Sequence, residues 1–296
     1  NDETYPDGYL AGIVAYANAE SGTITISGCT SNGGYSCDYY SGGIVGYGKG
    51  NSHSLKIRNC TNNAHIYLGN NGDACGGIAG AVYSAELESC FNYADISGNA
   101  YSEDNGTSWL GGISGVGGGC NFNGCANYGK ISCFFAGGIT ASQNSGNVAN
   151  SCLNVGKLTH SSGGYGHAIL YIYQQNTAVN CYYRYGTGMA GAEAVGASQL
   201  ASGEIAHAMR DYFGQTIGVD QWPVPLTATN RVYRVTVVGE VSRTFYVNYG
   251  QTAALPELSS CAAYYIDDTK FDSSTPITRD YVLVAKGDHK YVDGTC

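Results

Sequence analysis

Cysteine, tyrosine and a short column of charged residues are the side chains here whose types and spacing could do chemistry. Six of the twelve cysteines, Cys29, Cys60, Cys90, Cys125, Cys152 and Cys181, follow one another at 31, 30, 35, 27 and 29 residues. Their spacing is far from a pair of Cys-x-x-Cys hooks, so it does not point to zinc. The alternatives are buried thiols that fill space and bridges between neighbouring cysteines, whose required torsion is poorly met by side chains stacked in parallel. Of the remaining six, Cys37 and Cys75 each precede a Gly-Gly-Ile element and are candidates to pair, and Cys261 with Cys296 flanks the last segment as the candidate disulfide.

Acid–base chemistry would need carboxylates close together. Four residues in equivalent positions, His65, Asp95, Lys130 and Lys157, form a polar column, and Asp95 beside Lys130 is its one acid–cation neighbour pair. Hydrolysis of a glycan wants two carboxylates about 5–10 Å apart, and a lyase wants a base beside a cation or metal. With one acid in the column, a solvated face of mixed charge is the favoured reading. The six histidines have no Cys, Asp or Ser partner at motif spacing, and Gly115–Gly119 lacks the Lys-Ser/Thr of a phosphate loop. The residues therefore predict no catalytic group, no metal and no cofactor.

The 26 tyrosines are the one functional excess. Exposed tyrosine suits interfaces, because it joins a rigid apolar body to a polar tip. Tyr40, Tyr47, Tyr83 and Tyr165 are among those recurring near the corners; Tyr67, Tyr93 and Tyr128, with Asp95 and Lys130, are taken as the candidate ligand contacts. The competing reading has these rings stacking on one another along the molecule.

What positions all of these is a repeat. Asn59–Ile66, Ser89–Ile96, Gly124–Ile131 and Ser151–Leu158 share the pattern x-Cys-x-Asn-x-x-x-(Ile/Leu). Gly42-Gly43-Ile44, Gly76-Gly77-Ile78, Gly111-Gly112-Ile113 and Gly137-Gly138-Ile139 keep the same beat, and Ala11-Gly12-Ile13 is a worn first copy. Self-similarity at such a period marks stacked repeats. Segments such as Thr23–Ile26 and Leu55–Arg58 alternate as strands do, and helical spacing is nearly absent. The fold class is thus all-β, a parallel β-helix of about five to six coils with roughly three short strands per coil. Cys60, Cys90, Cys125 and Cys152 should face inward, one per rung and about 5 Å apart. Asn62, Asn92, Asn127 and Asn154 should share a corner in left-handed or bridging conformations, with their amides in a ladder.

The Gly-Gly-Ile-Val-Gly and Asn-Cys-x-Asn elements resemble the GLUG-type repeats of bacterial cell-surface proteins over residues 8–185. The resemblance implies a right-handed β-helix and a role in adhesion. Tyr249–Pro256 and Ile277–Lys286 resemble the internalin-type B-repeat, a small β-grasp module, although the usual Gly-Trp pair is missing here.

The expected organisation is a β-helix over residues 1–198, a helical cap and connector over 199–230, and a β-grasp-like domain over 231–296. Ser202–Arg210 reads as a short amphipathic helix, N-capped by Ser202 and covering the open end of the stack. Lys and Arg total 14 against 23 Asp and Glu, a net charge of −9. Such a surface argues against nucleic acid, and no apolar run approaches the 18 or so residues that would insert in a membrane. Asn1 looks like the start of a processed or trimmed chain. The functional expectation is a non-catalytic extracellular surface module, adhesin or stalk, meeting a host or bacterial glycan or protein. The alternatives are a carbohydrate-active β-helix enzyme and a homo-oligomer or filament formed by end docking.

Overall fold

The computed structural model describes residues 8–37, 39–69, 73–98, 108–142, 144–172, 175–260 and 262–287. The chain divides into two compact units, Asn1–Val195 and Gly196–Cys296.

The first unit is a parallel β-solenoid of about five turns. Each of the first four coils visits four sheets in turn. In the second coil the stations are Tyr40–Gly42, Val45–Gly50, Leu55–Arg58 and Thr61–Asn62, after which His65–Leu68 returns to the first sheet. A coil thus holds five short strands rather than the three read from the sequence, because each repeat bends at more places than its two motifs mark. In the fourth coil Ile131–Gly137 runs through as one strand and pairs with both Ile96–Gly98 and Trp109–Gly111. The insertion over residues 99–107 lies outside the described residues.

Register places like on like. Ile66, Ile96, Ile131 and Leu158 are Cα partners from coil to coil. Ile44, Ile78, Ile113, Ile139 and Ile169 are fully buried in the core with the repeat cysteines. Alternation is what divides them from the solvent side, since successive strand residues face opposite ways.

One corner of the coil has its left-handed residue immediately before each repeat cysteine. Gly28, Asn59, Ser89, Gly124, Ser151 and Asn180 all have φ between 50° and 64°. Asn62, Asn92, Asn127 and Asn154 are instead extended strand residues with buried side chains. The left-handed expectation for these four is therefore corrected: their side-chain amides, rather than their φ, are what the fold uses.

In the second unit a five-stranded mixed sheet runs in the order Arg243–Asn248, Val232–Gly239, Tyr281–Gly287, Ala262–Ile266, Thr269–Lys270. Val235, Val237, Ile277, Leu283 and Ala285 form its core. The helical stretch is two short helices, α1 (Ala197–Ala201) and α2 (Glu204–Ala208), not one helix begun at Ser202. Ser202 closes α1, and left-handed Gly203 starts α2. Ser202 still accepts the Glu204 N–H on its Oγ at 3.2 Å. Asp280 accepts bonds from Arg210 at 2.8 Å and from the Arg234 N–H at 2.9 Å, and pairs with His207 at 3.0 Å, which ties α2 to the sheet.

Candidate functional site: an aromatic groove between two sheets

From Cys60 onward, each repeat cysteine points its thiol back one coil. Cys60, Cys90, Cys125, Cys152 and Cys181 donate to the carbonyls of Ile26, Ile57, Leu87, Phe122 and Ala149 at 3.3–3.8 Å. Cys60, Cys90, Cys125 and Cys152 are wholly buried free thiols. Burial pushes the Cys125 thiol up, and bonds to neighbouring thiols together with burial do the same at Cys60 and Cys181. Cys75 is also buried, and its register partners are Ser41 and Leu110, whereas Cys37 is opposite Leu68. The side chain of Cys37 lies outside the described residues, and so does any pairing of it with Cys75. Cys261 and Cys296 lie outside the described residues.

Beside the thiols runs the amide ladder. Asn62 Nδ2 donates to Asn92 Oδ1 at 2.8 Å, Asn92 to Asn127 at 2.8 Å, and Asn127 to Asn154 at 2.9 Å. Each of the first three also donates to the carbonyl two residues on, at Ala64, Ala94 and Gly129. The Gly-Gly motif exists to admit these amides. A Cβ at Gly77 would stand 2.5 Å from Asn92 Cγ and 2.3 Å from the Gly112 carbonyl. The two sequence motifs therefore meet in space.

The polar column is placed as one file of neighbours, but without an ion pair between Asp95 and Lys130 among the described residues. Asp95 Oδ1 accepts the main-chain N–H of Lys130 at 2.8 Å, and Ile96 N–H bonds the Lys130 carbonyl at 2.9 Å. His65 Nε2 lies 3.3 Å from Ser97 Oγ. The carboxylate is thus engaged in holding one coil to the next. Of the three tyrosines singled out, Tyr93 and Tyr128 stack face to face at 4.7 Å and 6°. Tyr67 stands opposite Ser36 and Ser97.

A larger aromatic assembly lies elsewhere, and the sequence reading missed it as a site. Outward positions of the first sheet align Tyr9, Tyr40, Ala74, Trp109, Phe135 and Tyr165 in one column. Those of the second sheet align Tyr16, Tyr47, Ala81 and Val116. These outward faces converge. Tyr9 lies 5.1 Å from Tyr47, Tyr40 lies 5.9 Å from Tyr47, and Phe135 lies 4.4 Å from Tyr165. Ala74 and Ala81 face outward yet are fully buried, because the bend between the sheets is concave. Its floor is bare backbone: a Cβ at Gly80 would meet the Ser41 nitrogen at 2.5 Å. The signal for this groove was present as an aromatic two residues before three of the four Gly pairs, Tyr40, Trp109 and Phe135, with Ala74 the exception.

The groove holds a cavity of about 310 Å³ lined by Tyr40, Tyr83, Trp109, Val116, Ser142 and Asn144. Trp109 Nε1 is shielded from water and has no hydrogen-bond partner among the described residues. Burial pushes the Tyr83 hydroxyl up to about 12 and, with the Asp73 carboxylate beside it, raises that of Tyr40. Further along, His167 packs 4.5 Å from Tyr165 with its Nδ1 unpartnered among the described residues, and burial lowers its pKa to about 4. A cavity of about 660 Å³ in the second unit, lined by residues including Arg231, Tyr233 and Tyr249, is the larger. The groove is the stronger candidate, since it joins aromatic faces to an unused donor. No family model, no curated protein and no solved structure matches the chain.

Proposed function

We propose that this chain is a non-catalytic binding module of an extracellular surface protein, a stalk or adhesin, whose groove contacts a glycan or protein surface. The observation that carries the reading is the pair of convergent aromatic columns, which offers rigid apolar planes with polar edges on a stiff scaffold. The GLUG-like and B-repeat-like motifs support placement on a bacterial surface. The stacked Tyr93 and Tyr128, with Tyr67 on the first sheet, provide a second, shallower contact area.

A carbohydrate-active enzyme is the second reading, favoured by Asp73 beside the Tyr40 hydroxyl in the groove. The test is incubation with immobilised neutral and acidic polysaccharides and glycoproteins, measuring both retention and new reducing ends or unsaturated products. Retention without products, weakened by Tyr47→Ala, is the expected outcome. Turnover that disappears in Asp73→Asn or Asp95→Asn would make the protein an enzyme instead.

A further inference from the structure

The cavity of about 660 Å³ in the second unit joins a cation to aromatic planes, a chemistry absent from the lining of the groove cavity. Strand Val232–Gly239 carries Tyr233 on its core side, two residues before the buried Val235 and Val237. Val247 is the register partner of Tyr233, and Tyr249 follows it two residues later, on the same side by alternation. The two tyrosine rings lie 6.2 Å apart at 49°, so they form an open corner. Leu226, Thr227, Ala228 and Arg231 complete the lining. Their loop is held in shape from within, where buried Asn230 accepts the Thr227 N–H at 2.7 Å and donates to the Pro225 carbonyl at 2.9 Å. The Arg231 carbonyl accepts the Tyr249 N–H at 2.9 Å, which fixes the two residues side by side.

Arg231 is exposed and pairs with no carboxylate among the described residues, whereas Arg210, which lines an adjoining cavity with it, is paired with Asp280 at 2.8 Å. No Asp or Glu is among the lining residues, in a chain whose net charge is −9. A guanidinium beside flat apolar faces suits a ligand that carries a carboxylate on a rigid ring. Independently of the groove, we propose that this cleft binds a uronate residue of an acidic polysaccharide. The carboxylate accepts two parallel N–H bonds from Arg231, and a C–H face of the pyranose ring lies on the exposed ring of Tyr249. A phosphate would use the guanidinium and leave both tyrosines uncovered. A neutral sugar would use the rings and leave the cation without a partner. An acidic peptide reaches the cation on a flexible stem and brings no ring to the tyrosines.

The test is calorimetric titration of the full chain with oligomers of galacturonate, glucuronate and mannuronate, each also as its uncharged methyl ester, and with inorganic phosphate and a Glu-rich peptide. Saturable binding of at least one uronate oligomer, at least tenfold weaker as the ester, is expected. Arg231→Ala should weaken that binding at least tenfold, and Arg231→Lys, which keeps the charge without the fork, should recover only part of it. Tyr249→Ala should weaken it about fivefold and Tyr249→Phe should leave it unchanged, since the ring face is what the sugar uses. Both positions are exposed, and an unchanged circular dichroism spectrum checks that each variant folds. No binding of any uronate, equal binding of the esters, tighter binding of phosphate or peptide, or full affinity in Arg231→Ala overturns the proposal. Tyr47→Ala should leave uronate binding intact; a loss there with Arg231→Ala silent would assign the uronate to the groove and overturn the proposal while the groove reading stands.

Discussion

Asn92 is held by more bonds than any exposed polar group could offset. It donates to Asn127 and to the Ala94 carbonyl, accepts from Asn62, and is fully buried. Asn92→Leu strands an amide donor on one side and an amide acceptor on the other, and each buried orphan costs about 1–3 kcal/mol. Urea unfolding should show a loss of roughly 2–4 kcal/mol, and a neutral result would mean that the ladder does not support the stack. His167 sets a second expectation. Its pKa is lowered to about 4 from 6.5 because burial disfavours the charged ring. The unfolded chain therefore takes up the proton first as pH falls. The neutral ring's stability is whole above pH 6.5 and is lost progressively toward pH 4, on the order of 2–4 kcal/mol in all. His167→Phe should flatten the slope of stability between pH 7 and 4.5; an unaltered slope would place the titration elsewhere.

At the scale of the strand, the corner before each cysteine is where local preference and fold disagree. Ser89 sits at φ 50°, a region that costs a residue with a Cβ about 1–2 kcal/mol, while the equivalent Gly124 enters it freely at φ 59°. The strain is carried because the Ser89 N–H bonds the Asn123 carbonyl of the next coil at 2.9 Å. Ser89→Gly keeps that bond and removes the clash. It should raise the urea midpoint by up to about 1 kcal/mol in stability, net of glycine's entropy. A lower midpoint would show that the Ser89 side chain contributes something the backbone does not reveal. Arg58, Glu86, Glu88 and Lys56 on the third sheet are a comparable case of coils joined sideways, with Arg58 2.8 Å from Glu86 and 3.2 Å from Glu88.

For the molecule as a whole, the line of thiols reports on whether the stack opens. Burial holds Cys120 at about 11 and Cys133 at about 12, so neither is a thiolate at neutral pH. Iodoacetamide at pH 8 should modify the half-exposed Cys29 in the native protein and spare Cys60, Cys90, Cys125 and Cys152 until denaturant unfolds the solenoid. Peptide mapping by mass spectrometry reads each site separately. Modification of Cys90 in the native state, ahead of Cys29, would show that the solenoid opens locally at its centre.

The sequence by itself determined the period, the inward cysteines and the ladder asparagines, because stacking makes every coil repeat its inner contacts at equivalent positions. It also carried the change to longer strands after Arg231. The left-handed position escaped it, since Ser, Asn and Gly alternate there and no single residue type marks the bend. The groove escaped it for a different reason. Whether an outward-facing tyrosine meets solvent or another sheet depends on the angle between strands that a turn separates, and no local pattern encodes that angle. Ala74 and Ala81 read as unremarkable small residues along the chain. Only the tertiary structure buries them together beneath Tyr40, Tyr47, Tyr83 and Trp109, and so joins two outward columns into one aromatic cluster.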